Sequence, residues 1–202
     1  MSHAAAGLPP VIVYLHGFRS SPASRKATDL QAAVDALPAS RRPQLHVPDL
    51  QLPPVAATAR VRSLVAGVEP DRVTLVGSSL GGFYATHLAE ALGVRAVLIN
   101  PAVRPYEDLA PYLGIQTNLY TGEAFEVTPA HFTELRALAV ARITRPSRYF
   151  LLVETGDEVL DYRVAVRFYA GAWQYVRGGG DHGFADYLAQ VPAILRFARV
   201  RD

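Results

Sequence analysis

The chain has 202 residues, 50% of them hydrophobic and 19% charged, a balance that supports a sizeable core and excludes intrinsic disorder. It has no cysteine, which excludes disulfides, thiolate metal sites and a cysteine nucleophile. The net charge is only +2, and the pI near 9.0 comes from arginines scattered from Arg19 to Arg201 plus Lys26, with no run longer than Arg41-Arg42, so there is no concentrated basic surface for a nucleic-acid partner.

The N-terminal segment lacks a basic region, and its apolar run, Val11 to Leu15, is too short for a signal sequence. No stretch approaches the ~18 uninterrupted apolar residues of a membrane span. The expectation is a soluble, cytoplasmic protein with no membrane partner. Strand-like and helix-like runs then alternate. VIVYL (Val11–Leu15) is continuously apolar, as expected of a strand covered on both faces. Ala23 to Leu37 repeats apolar residues with helical spacing. Gln44 to Val47 is a second strand, and Pro54 to Val68 a second helix with proline at its start. Arg72 to Val76 is a third strand, Leu80 to Leu92 a helix stopped by Gly93, and Arg95 to Ile99 a fourth strand.

Asn100 to Pro146 breaks the pattern with repeated prolines, scattered aromatics and one helical stretch, Ala130 to Ala141. It reads as an irregular insertion within one domain spanning 1–202. Arg148 to Val153 is a fifth strand, Tyr162 to Ala170 a helix, Ala172 to Val176 a sixth strand and Asp186 to Arg199 the last helix. Such alternation predicts an α/β fold with a parallel sheet and right-handed crossovers. Ligands in such sheets bind at the carboxyl ends of the strands, so the residues just after each strand are the informative ones.

The strongest of these is Gly77-Ser78-Ser79-Leu80-Gly81, a G-x-S-x-G pattern between an apolar strand and an apolar helix. That is the context of a nucleophile elbow, in which a sharp turn exposes a serine hydroxyl at a helix N-terminus. Ser79 has the required flanking glycines and Ser78 does not. A serine needs a base, and His182 is the best placed, after the sixth strand in the glycine-rich loop GGGDHGF. His3 lies in the tail, His46 in a strand, and His87 and His131 in helices. His16 reads as a structural residue that fixes its own loop. The base needs a carboxylate. Asp157 follows the fifth strand after a glycine and is preferred over Asp161, which suits a helix N-cap. Glu154 ends the strand, Glu158 faces solvent, and Asp181 is adjacent to His182. Ser79, Asp157 and His182 then occur in the chain order of α/β-hydrolases. Backbone N–H groups of Leu80 and, from the loop after the first strand, Phe18 are the candidate oxyanion donors.

At these residues the chain resembles the α/β-hydrolase superfamily, and more closely the YqiA/YcfP-type small bacterial esterases. The likeness lies in YLHGF with SSPASRKA (Tyr14–Ala27), GSSLGGFYATHLAE (Gly77–Glu90), NPAVRPYE (Asn100–Glu107), ETGDEVLDYR (Glu154–Arg163) and GGDHGF (Gly179–Phe184). The resemblance implies a trimmed six-stranded parallel sheet in the order 2-1-3-4-5-6, flanked by helices, with 101–146 as a short lid-like insertion. It implies hydrolysis of simple esters or acyl thioesters such as acyl-CoA, with a triad at Ser79, Asp157 and His182. The alternatives are a small serine peptidase or amidase with the same triad, or a non-catalytic binding protein of the same fold; the sequence gives no sign of a metal or an organic cofactor. Tyr106, Tyr112, Leu113, Tyr120, Phe125 and Phe132 of the insertion either line an acyl pocket or cover the sheet edge. Arg19, Arg25 and Lys26 either meet phosphates of a leaving group or are solvated, with Ser20 or Ser21 capping the helix that follows.

Overall fold

The computed structural model describes residues 8–200. Six strands form one parallel sheet: β1 (Val11–Leu15), β2 (Gln44–His46), β3 (Val73–Ser78), β4 (Arg95–Ile99), β7 (Tyr149–Glu154) and β8 (Trp173–Arg177). Their order is β2-β1-β3-β4-β7-β8, the expected 2-1-3-4-5-6 once the strands of the insertion are numbered. The registers Leu15↔Gly77, Ser78↔Ile99, Ile99↔Leu152 and Glu154↔Arg177 bring the carboxyl ends of the five longer strands into line. The segments that follow them therefore meet along one edge.

Successive side chains of a strand point to opposite faces, and both faces are covered. Val11, Val13 and Leu15 pack with α2 (Pro54–Leu64), α3 (Leu80–Leu92) and α6 (Tyr162–Phe168). Ile12 and Tyr14 pack with α1 (Arg25–Asp35) and α7 (Tyr187–Phe197). Every residue of β1, β3 and β4 is buried, which is why these strands are mostly apolar, with Thr74, Ser78 and Arg95 as the buried polar exceptions.

Several expectations change. Helix α1 begins at Arg25, not Ala23, and its N-cap is Ser24 rather than Ser20 or Ser21; the Ser21 hydroxyl instead accepts from Ala23 N–H at 3.1 Å. Helix α2 ends at Leu64, four residues early. The insertion is not irregular. It holds a helical turn α4 (Pro105–Asp108), an antiparallel hairpin of β5 (Gly114–Thr117) and β6 (Ala124–Val127), and α5 (Pro129–Leu138). Strands of four residues with alternate side chains exposed carry almost no periodic signal. Among the described residues no helix is long and apolar enough to cross a membrane.

Candidate active site

The turn from β3 into α3 is built around close backbone approach. A Cβ on Gly77 would lie 2.3 Å from the carbonyl oxygen of Gly81, and one on Gly81 would lie 2.0 Å from the carbonyl oxygen of Leu15. Only glycine fits at either position. Between them Ser79 is forced to φ 55°, ψ −121°, a region a non-glycine residue occupies only when its surroundings impose it. Ser79 N–H donates to Ile99 C=O at 3.0 Å, and Ser79 C=O accepts from Gly82 and Ala102 N–H. These bonds hold the strained turn.

The structure brings Ser79, His182 and Asp157 together. Nε2 of His182 lies 3.1 Å from Oγ of Ser79. Nδ1 of His182 lies 3.0 and 2.9 Å from the two oxygens of Asp157, which accept its N–H, while Nε2 faces the serine hydroxyl. The Asp157 side chain is 2% exposed, and its Oδ1 accepts from Val159 and Leu160 N–H at 2.9 Å each. Asp161 takes the other role considered for it: it is the N-cap of α6 and accepts from Arg163 N–H at 2.9 Å.

The loop that carries His182 is held from several sides. Glu154, fully buried at the end of β7, accepts from Asp181 N–H at 2.9 Å, Ala185 N–H at 3.1 Å, Asp186 N–H at 3.3 Å and Arg177 Nη1 at 2.6 Å. Burial raises its pKa, but the hydrogen bonds from Asp181, Arg177, Ala185 and Asp186 outweigh burial and leave it below the ordinary value. Asn100, at φ 39°, donates through Nδ2 to the carbonyls of Asp181 and His182 and accepts from Glu154 N–H. The Glu158 carboxylate does not simply face solvent; it accepts from His182 N–H at 3.0 Å. Lys26 is not a solvated cation. It is half-buried and donates to Gly183 C=O at 2.7 Å, and burial lowers its pKa. Sequence reasoning found none of these supports. A visible trace was the glycine run: a Cβ on Gly180 would meet Glu154 Oε2 at 1.9 Å.

His16 holds its own loop, as expected. Its Nδ1 donates to Gly17 C=O at 3.0 Å and its Nε2 accepts from Leu50 N–H at 2.9 Å. Burial lowers its pKa, consistent with a neutral ring that makes one bond of each kind. The loop beyond it abuts the serine, for a Cβ on Gly17 would lie 3.1 Å from Ser79 Cβ. Neither Phe18 nor Leu80, the two expected oxyanion donors, has an acceptor for its N–H among the described residues. Leu80 is the first residue of α3, where helical amides have no internal partner.

Two chambers flank the segment Gly17–Ser20. One, of about 430 Å³, is lined by Ser79 and His182 with Tyr14, Ser24, Lys26 and Tyr187 among its other walls. The second, of about 280 Å³, is apolar and lies against Phe18, Leu80, Leu50, Tyr84, Phe125 and Phe132. The insertion aromatics thus divide. Phe125 and Phe132 line the apolar chamber and Tyr120 the other, Tyr106 packs on the core, Tyr112 sits edge-on to Phe18, and Leu113 is exposed. Arg19 and Arg25 are engaged with Thr117 C=O and Asp29. Among the described residues no cluster of His, Cys, Asp or Glu is arranged to hold a metal ion.

Comparison with known proteins agrees with this architecture. A UPF0227 protein of Pectobacterium carotovorum subsp. carotovorum is 23% identical over 192 residues, 91% of this chain and 97% of the relative. The mouse alpha/beta hydrolase domain-containing protein 10 superimposes with a TM-score of 0.71 at 20% identity, over 96% of this chain and 91% of that one. The esterase domain of a Rhodothermus marinus protein superimposes with a TM-score of 0.66 at 17% identity, over 96% and 88% of the two chains. The fold is therefore that of the α/β hydrolases. The model of the uncharacterised protein family UPF0227 matches residues 11–199, and the chain belongs to that family.

Proposed function

We propose that the protein is a serine hydrolase that cleaves carboxylic esters or acyl thioesters through an acyl-enzyme. The observation that carries this reading is the continuous hydrogen-bonded chain from Ser79 Oγ through His182 to Asp157, with Ser79 held at φ 55° at the mouth of a helix. In this reading His182 Nε2 takes the Ser79 proton as Oγ bonds to the substrate carbonyl carbon. The carbonyl electron pair moves onto oxygen, where Phe18 and Leu80 N–H stabilise it. Collapse of this intermediate breaks the bond to the leaving group, which receives the proton from His182. Water then gives its proton to His182 as it attacks the acyl carbon, and the acid departs as Ser79 regains its proton. Because the leaving group must reach His182, it occupies the chamber that His182 lines, and the acyl group lies toward the apolar chamber beside Leu80.

A fluorophosphonate probe tests the nucleophile. Wild-type protein is labelled at Ser79 and hydrolyses p-nitrophenyl esters. Ser79→Ala loses labelling and on the order of 10⁴- to 10⁶-fold of turnover, with its thermal midpoint nearly unchanged. A Ser79→Ala protein that keeps ester turnover refutes the assignment. Running p-nitrophenyl esters, acyl thioesters and aminoacyl anilides side by side decides which bond is cleaved.

A further inference from the structure

The insertion is attached to the segment that carries the Phe18 amide, and attached at every residue of it after the glycine. The Phe18 ring is set edge-on between Tyr112 and Phe125, with centroid distances of 5.4 and 5.7 Å. Arg19 C=O accepts from Leu119 N–H at 2.9 Å, and Arg19 Nε donates to Thr117 C=O at 2.9 Å. Ser20 C=O accepts from Asn118 Nδ2 at 3.0 Å. Tyr112, Thr117, Asn118, Leu119 and Phe125 all belong to the hairpin or the turn leading into it. The residue so gripped is itself strained: Arg19 has φ 55° without being glycine. A strained backbone next to a reacting centre persists only where its surroundings over-determine it, and here those surroundings are the hairpin.

Asn118 is the centre of the attachment. It is 2% exposed although it lies at the hairpin tip between the exposed Thr117 and Leu119. Its Oδ1 accepts from Tyr120 and Thr121 N–H and shapes the turn. Its Nδ2 reaches out of the hairpin to Ser20 C=O and to the Gln51 side chain in the segment after β2. One side chain thus ties the insertion, the β1–α1 loop and the β2–α2 segment together.

We infer that the insertion is a brace for the oxyanion loop rather than a lid, and that Asn118 is a positioning residue that acts through Arg19 and Ser20 to aim the Phe18 N–H at the developing oxyanion. The inference rests on the reading of Ser79 as nucleophile. Removing an oxyanion donor outright lowers kcat by about 10²- to 10³-fold, so releasing its brace lowers kcat by less.

Asn118→Asp is the informative variant. It keeps the oxygen that shapes the hairpin turn and deletes both donors that leave the hairpin. Ile115→Ala, on the exposed side of the same hairpin, is the control. On a p-nitrophenyl ester, Asn118→Asp lowers kcat by about 10- to 100-fold with KM within about twofold. Its affinity for an alkyl trifluoromethyl ketone, which forms the tetrahedral adduct, falls in parallel with kcat. Ile115→Ala leaves kcat, KM and ketone affinity unchanged. A structural role alone lowers the thermal midpoint without this split. Unchanged or increased kcat in Asn118→Asp, or a change confined to KM, overturns the brace. A wild-type protein that is neither labelled at Ser79 nor active removes the hydrolase reading and this inference with it; an active wild type with an indistinguishable Asn118→Asp removes this inference alone.

Discussion

Replacing Glu154 with glutamine tests how the His182 loop is held. The carboxylate is fully buried and its two oxygens share the donors evenly: Oε2 accepts from Asp181 and Ala185 N–H, and Oε1 from Asp186 N–H and Arg177. A glutamine can present an oxygen to one pair only. Its NH₂ then faces two donors that have lost their acceptor. Each donor left unpaired costs about 1–3 kcal/mol, so the variant loses about 2–6 kcal/mol. For a domain of this size about 1 kcal/mol shifts the melting midpoint by about 2–4 °C, which gives a fall of about 4–24 °C. The pH dependence has a definite sign. The folded-state pKa is depressed, so the carboxylate's contribution is fully present above the ordinary value of 4.5 and is lost as pH falls below it through the folded value. Thermal melts of both proteins at pH 7 and at several points below pH 4.5 therefore show a gap that narrows on acidification. A gap under about 2 °C at pH 7, or one that does not narrow in acid, refutes the reasoning.

The two aspartates after β7 separate by assay. Asp157→Asn lowers ester turnover by about 10⁴-fold by destabilising the Nδ1–H tautomer and the charged ring, while Asp161→Asn keeps near-normal kcat and costs at most about 1 kcal/mol of stability through the α6 cap, measured by steady-state kinetics and urea titration. His16→Ala leaves the buried Leu50 N–H without its acceptor and destabilises by about 1–3 kcal/mol above pH 6.5. Because burial depresses the His16 pKa below 6.5, the wild type loses this advantage as pH falls below that value, so urea titrations at pH 8 and pH 5.5 show a smaller difference at the lower pH.

The strands, and the turns whose Ser79, Asp157 and His182 the fold brings together, were legible locally, whereas the order of the strands came from the resemblance to the α/β hydrolases. Buried parallel strands are short apolar runs, and each chemical residue follows one of them within a distinctive turn. Packing alone separates Ser79 from Ser78, and the strand–glycine–serine spacing carries that packing directly in sequence. Apart from the glycine run beside Glu154, the supports of the site left no such trace. Glu154 works through backbone N–H groups 27 to 32 residues away, and backbone donors look alike in every sequence. Asn118 sits among polar residues in a segment without periodicity, and its meaning comes from Ser20, 98 positions distant. Lys26 read as either a phosphate contact or a solvated cation for the same reason, since its partner is the carbonyl of Gly183. The hairpin escaped because one face of each strand is open to solvent, so neither strand shows a buried run.

The pairing of β4 with β7 is closed across the whole segment from 100 to 148. Closing a flexible loop becomes harder only logarithmically with its length, by about 0.6 kcal/mol for each doubling. The sheet is thus nearly indifferent to how much chain emerges between these two strands. The candidate site is not, because the tip of that chain touches Arg19 and Ser20 in the loop that abuts Ser79. With the proposed hydrolase activity and brace, insertions and replacements at this junction would alter chemistry before they threaten folding, which would make the β4–β7 crossover the place where a lineage, or a protein engineer, exchanges one catalytic character for another while the six-stranded platform stays in place.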